Sequence, residues 1–93
     1  MTGAEILAIK MDENDSGADT IKGYLIALLN KLWNEEEGFS GKRPFGNSGW
    51  SYDLYKPLVT AGAVTGKLDG DGYIEEVDRD AADKAIFSAI AAL

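Results

Sequence analysis

Cysteine and histidine are both absent from this chain. Without cysteine there are no disulfides, no thiolate metal sites and no cysteine nucleophile. Without histidine the commonest general base near neutral pH is missing, and so is the usual nitrogen ligand of zinc. The catalytic side chains that remain are Asp, Glu, Lys, Tyr and Ser. Their carboxylates fall in turns and at helix ends and flank no recognisable cleft. The expectation is therefore a protein that is not an enzyme, with no catalytic residue, no cofactor and no metal.

Long apolar runs are also lacking. No stretch approaches the roughly 18 to 20 apolar residues that a membrane-spanning helix needs. Residues 1–10, "MTGAEILAIK", carry acid early and have no extended apolar region of the signal-peptide kind. A cytoplasmic setting without membrane contact is the corresponding expectation. Basic residues are few: nine Lys and Arg stand against sixteen Asp and Glu, for a net charge of −7. A surface of that sign repels phosphate backbones and argues against nucleic acid, while it favours solubility and attraction to a basic protein partner. What the chain does have is enough apolar material, 45% of its 93 residues, to fill the core of one domain spanning residues 1–93. Such a domain is expected as a monomer or a small homo-oligomer.

Periodicity supplies the elements. In residues 1–11, Ala4, Leu7, Ala8 and Met11 recur at helical spacing with Ile6 and Ile9 on a neighbouring face, which predicts a short helix. "DENDSGAD" interrupts it, and Ser16 with Asp19 forms a capping-box pattern for the next helix. Over residues 17–37, Ile21, Leu25, Leu28, Leu29, Leu32 and Trp33 form one apolar stripe. A third helix, capped by Ser48 or Ser51 and stopped at Gly62, turns Trp50, Leu54, Leu58 and Val59 inward. Pro57 interrupts its hydrogen bonding at a cost of about 3 kcal/mol, which predicts a kink or a late start. Residues 64–68 and 73–76 flank a glycine-rich turn and predict a hairpin. Asp78 or Asp80 caps a final helix with Ala82, Ala85, Ile86, Ala89, Ile90 and Leu93 on one face, expected to pack on the long helix. The fold class is α+β: a small, mainly helical domain of three to four helices with one β-hairpin.

The hairpin turn imitates a calcium loop. With Gly72 as the loop glycine, Asp69 and Asp71 take the third and fifth positions, Tyr73 the carbonyl position and Ile74 the hydrophobic one. Lys67 stands where the first carboxylate belongs, and Asp78 replaces the bidentate glutamate. An ammonium in the coordination shell repels the ion, so the turn is read as an Asp- and Gly-rich turn. A weak calcium-binding, EF-hand-like loop is the alternative.

The candidate interaction residues cluster in and around "EEEGFSGKRPFG". Glu35, Glu36 and Glu37 fall in the last turn of the long helix, beside the negative end of its dipole, where cations are normally favoured. Lys42 and Arg43 lie just downstream to neutralise them; otherwise the acids face a partner. Lys42, Arg43, Phe45 and Trp50 form a small basic and aromatic patch, too weakly charged to hold nucleic acid against the rest of the chain. The segments "EEEGFSGKRPFGNSGWSYDLY", "LVTAGAVTGKLDGDGYIE" and "ADKAIFSAIAAL" resemble small uncharacterised proteins of actinobacterial phages and prophages, most specifically over residues 41–50. The resemblance implies a phage origin and a host-cytoplasmic setting. It supplies no activity and no site residue.

Together these readings point to a protein–protein interaction module acting on a host or phage protein through an acidic face, to which the acidic run over residues 69–83 contributes. The alternative is a structural or assembly accessory of the phage particle that self-associates around Phe45 and Trp50. If "GKRPFGNSGW" is a connector seated on the core, Trp50→Ala lowers stability by about 3–5 kcal/mol. Lys42→Ala and Arg43→Ala then cost at most about 1 kcal/mol each. Thermal melts of the variants check this. A near-parental melt for Trp50→Ala, with partner capture lost in Arg43→Ala, identifies a binding loop instead.

Overall fold

A computed structural model describes residues 1–14, 16–34 and 49–93, and the side chains of all of these except 31–34 and 49–52. Among the described residues the chain forms four helices and one antiparallel hairpin, a small α+β fold. The elements are α1 (Gly3–Leu7), α2 (Ile21–Asn34), α3 (Gly49–Thr60), β1 (Gly66–Leu68), β2 (Ile74–Val77) and α4 (Arg79–Ala91). None of the described helices is long and apolar enough to cross a membrane.

The first helix is shorter than its apolar spacing predicts. Thr2 opens it with a full capping box: Thr2 N donates to Glu5 Oε1 at 2.9 Å, and Glu5 N donates to Thr2 Oγ1 at 3.2 Å. The Thr2 backbone N–H first, and the Thr2 hydroxyl second, hold the Glu5 carboxyl below its ordinary range. Their contribution is therefore present above the unfolded carboxylate pKa and fades as pH falls through the lowered value. The helix ends at Leu7 because the backbone that follows finds partners elsewhere. Lys10 pairs antiparallel with Thr20, Met11 N donates to Asp19 O at 2.9 Å, and Ile21 N donates to Ile9 O at 2.9 Å.

The expected Ser16–Asp19 capping box does not form. Asn14 organises that loop instead, donating from Nδ2 to the carbonyls of Asp12 and Ala18 and accepting from Ser16 N and Ser16 Oγ. Thr20, immediately before α2, takes over the cap by accepting from Gly23 N at 3.4 Å. The apolar stripe of α2 then buries Ile21, Leu25 and Leu28 as predicted, with Tyr24 among them.

Helix α3 does not start late: it runs from Gly49, and Pro57 lies buried inside it. The carbonyl that loses its partner belongs to Asp53, an exposed residue. Gly62 ends the helix as predicted. Its φ of 75° places it in the left-handed region, Ala63 N donates to Leu58 O, and Gly62 N donates to Val59 O, the pair of bonds that closes a Schellman motif.

The hairpin pairs Gly66 with Val77, Lys67 with Glu76 and Leu68 with Ile74, with an irregularity at Lys67 and Leu68 that leaves Glu75 as the extra residue. Its first strand begins two residues later than predicted because Val64 N still bonds to Leu58 O at the end of α3. Asp78 is the cap of α4: its side chain accepts from Ala81 N at 3.1 Å. Ala82, Ile86 and Ala89 are buried from that helix, and the core joins them to Ile6, Leu7, Leu54 and Leu58.

Among the described residues the main neighbour of α4 is α1, with α3 second, which corrects the expected docking on the long helix α2. The physical reason is Gly3. A Cβ built there would lie 2.1 Å from Ser88 O and 2.8 Å from Ser88 C, so α1 and the backbone of α4 meet at a distance that only glycine permits. Gly3→Ala is therefore expected to push α1 off α4 and lower stability by about 1–3 kcal/mol. Gly70→Ala, where nothing lies within 4 Å of the new methyl, is the control and should change stability by about 0.5 kcal/mol or less. Urea denaturation of both variants checks the contrast.

Candidate functional site

Three separate parts of the chain enclose a groove of about 620 Å³. One wall is the Asn14-braced loop, carrying Met11, Asp12 and Glu13. The floor is α3, through Asp53, Lys56 and Pro57, and the far wall is the start of β2, with Tyr73 and Ile74. The loop is held against the helix by an ion pair between Lys56 Nζ and Asp12 Oδ2 at 2.9 Å, both partners substantially exposed. The same ammonium reaches toward Gly72 at the hairpin turn. One cation of α3 thus lies between the loop and the hairpin turn, although an exposed pair of this kind adds little stability.

Asp53 is the second fixed group in the groove. Its Oδ2 accepts from Tyr24 Oη at 2.7 Å, a bond across 29 residues that ties α2 to α3. Tyr73 stands at the mouth with 73% of its surface exposed, the most exposed large apolar residue of the described chain. Chemically the groove offers carboxylate acceptors, a short apolar lining and an open aromatic face.

A second tyrosine–aspartate pair lies on the other side of α3. Tyr55 is fully buried and donates from Oη to Asp83 Oδ1 at 2.7 Å, and Asp83 itself is 5% exposed. This corrects the acidic run of residues 69–83 at its last member: Asp83 faces the core. The exposed acids of that run are Asp69, Asp71, Glu75, Glu76, Asp78 and Asp80.

The calcium-like turn uses its carboxylates internally. Asp69 Oδ1 accepts from Asp71 N at 2.8 Å and Tyr73 N at 3.0 Å, the main chain of Asp69 bonds to Tyr73 O and Gly72 N, and Asp78 caps α4. Lys67 pairs with Glu75 at 3.4 Å. Among the described residues no group of three or more acids gathers to hold a metal ion.

The predicted interaction residues Glu35, Glu36, Glu37, Lys42, Arg43 and Phe45 lie outside the described residues, and so does the side chain of Trp50. The groove residues were not singled out from sequence. The available signal was Tyr24, which sits three residues after Ile21 on the apolar stripe and carries a hydroxyl that burial obliges to find a partner. No protein-family model matches the chain, and no curated protein or solved structure shows significant similarity to it.

The two tyrosine–aspartate bonds differ in burial and should differ in energetic weight. Tyr55→Phe leaves the buried Asp83 carboxylate without its donor and is expected to cost about 1–3 kcal/mol, whereas Tyr24→Phe costs about 1 kcal/mol or less because water reaches Asp53. Adding Asp83→Leu to Tyr55→Phe should recover much of the loss, since removing both polar partners abolishes the unsatisfied group. Chemical denaturation of the three variants measures the series. Equal losses for Tyr24→Phe and Tyr55→Phe would contradict it.

Proposed function

We propose that this chain is a non-enzymatic protein-interaction module that binds a basic surface of a host or phage protein in the host cytoplasm. The observation that supports it most directly is the hairpin and the start of α4, where six carboxylates, Asp69, Asp71, Glu75, Glu76, Asp78 and Asp80, are exposed within twelve residues. Lys67 and Arg79 are the basic residues in and beside that stretch, and Lys67 is already paired with Glu75. An excess of one sign on a compact surface steers a partner of opposite sign and disfavours phosphate. The choice of a host or phage protein as partner follows the resemblance of residues 41–50 to phage proteins. The small number of catalytic side-chain types supports a binding role over an enzymatic one.

Affinity capture from an actinobacterial host lysate tests the reading. At low salt a discrete protein should be retained and then released as ionic strength shortens the screening length below about 8 Å. The combined variant Asp71→Asn, Glu76→Gln, Asp80→Asn removes three charges and spares Asp69 and Asp78, which brace the turn and cap α4. It should lose the partner while keeping the parental melt. Retention of nothing at low salt, or of the same protein by the neutralised variant, removes the support for this reading.

A further inference from the structure

We infer that the groove between the Asn14-braced loop, α3 and Tyr73 seats an arginine side chain of the protein partner. This inference rests on the interaction reading and names the anchor within it. The charges facing the groove are Asp12, Glu13 and Asp53 against Lys10 and Lys56. Lys56 is taken up by Asp12 at 2.9 Å, which leaves Glu13 and Asp53 against Lys10, with Asp71 exposed on the turn beside Tyr73. The groove is therefore complementary to a cation.

Its shape selects among cations. Met11, Pro57 and Ile74 give an apolar lining on which an aliphatic stem can lie while its charged head stays polar. The Tyr73 ring, 73% exposed at the mouth, offers an open face to a planar cation. Asp53 is held at one oxygen by Tyr24 Oη at 2.7 Å, so its carboxylate is oriented before any ligand arrives. A guanidinium is the group that stacks on an aromatic ring and donates to carboxylates in one plane, while an ammonium acts as a point charge without the fork. About 620 Å³ is ample for one such side chain with part of the backbone that bears it.

The test is an amide-resolved NMR titration of the full chain with N-acetyl-arginine amide, with N-acetyl-lysine amide and N-acetyl-citrulline amide as comparison probes. Saturable shifts are expected at residues 10–14, 53–60 and 72–74, weaker with the lysine probe and lost with the citrulline probe. Tyr73→Ala should weaken arginine binding about two- to five-fold, the range for a cation over an exposed ring. Glu13→Gln should weaken it as well, while Glu76→Gln, an acid outside the groove, should leave it unchanged. Both groove substitutions fall on exposed side chains, and an unchanged spectrum away from the groove verifies the fold. Shifts spread evenly over all acidic positions, equal binding of citrulline, or indifference to Tyr73→Ala would overturn the inference. The capture experiment separates the two readings. Salt-sensitive capture that survives Tyr73→Ala but not the neutralised hairpin sinks the arginine seat and leaves the interaction module standing. Absence of any low-salt partner for the parent protein sinks the module itself.

Discussion

Helix α3 is tied to its neighbours by two tyrosine–aspartate hydrogen bonds of equal length, 2.7 Å, and the arrangement of the rest follows from them. It receives a bond from α2 at Asp53 and gives one to α4 from Tyr55. Both phenol rings are fully buried, so each bond carries an aromatic ring into the core while satisfying its hydroxyl. A hydrophobic stripe alone would let α3 rotate or slide among near-equivalent packings. A buried hydroxyl that must meet one carboxylate does not, because an unmade bond costs more than a made one contributes.

The consequence reaches the surface. With α3 held by Tyr24 at Asp53 and by Asp83 at Tyr55, the side of the helix bearing Lys56 and Pro57 is left facing the loop and the hairpin. The groove is thus the gap between a helix fixed at its groove face through Asp53 and on its far side through Tyr55, and two turns braced by their own side chains, Asn14 in one and Asp69 in the other. The chemistry of those turns also decides what they do not offer. Asn14 and Asp69 direct their side-chain oxygens at backbone N–H groups, so the calcium-like letters of the hairpin serve the turn. Lys67 reinforces the same outcome by pairing across the strands with Glu75.

Local signals were legible wherever a short-range rule governs. The stripe of α2, the hairpin, the stop at Gly62 and the cap at Asp78 each depend on residues within a few positions of one another, and each appears close to where pattern places it. Errors arose where two local options compete. Residues 9–11 fit a helix by spacing, but they pair with residues 19–21, whose backbone would otherwise lack partners. Ser16 looks like a cap until Asn14 claims its hydroxyl. Pro57 reads as a kink or a late start, yet α3 already runs from Gly49 and passes through the proline, with the freed carbonyl on an exposed residue. The candidate site was scarcely legible at all. Its residues come from three segments, residues 10–14, 53–60 and 73–74, and none of them forms a motif.

Composition and periodicity by themselves determined the class of this protein: a small acidic α+β domain lacking the cysteine and histidine chemistry of most enzymes, with its helices and hairpin in a given order. Only the tertiary structure decided which helix meets which, that α4 lies on α1 through Gly3, that Asp83 turns inward while Asp53 opens onto a groove, and that Tyr73 stands free at its mouth. The division has a physical cause. Caps, turns and amphipathic stripes are settled by energies acting over one or two turns of backbone, whereas the partner of a buried hydroxyl or the clearance above a glycine depends on the packing of chain segments that sequence spacing does not relate.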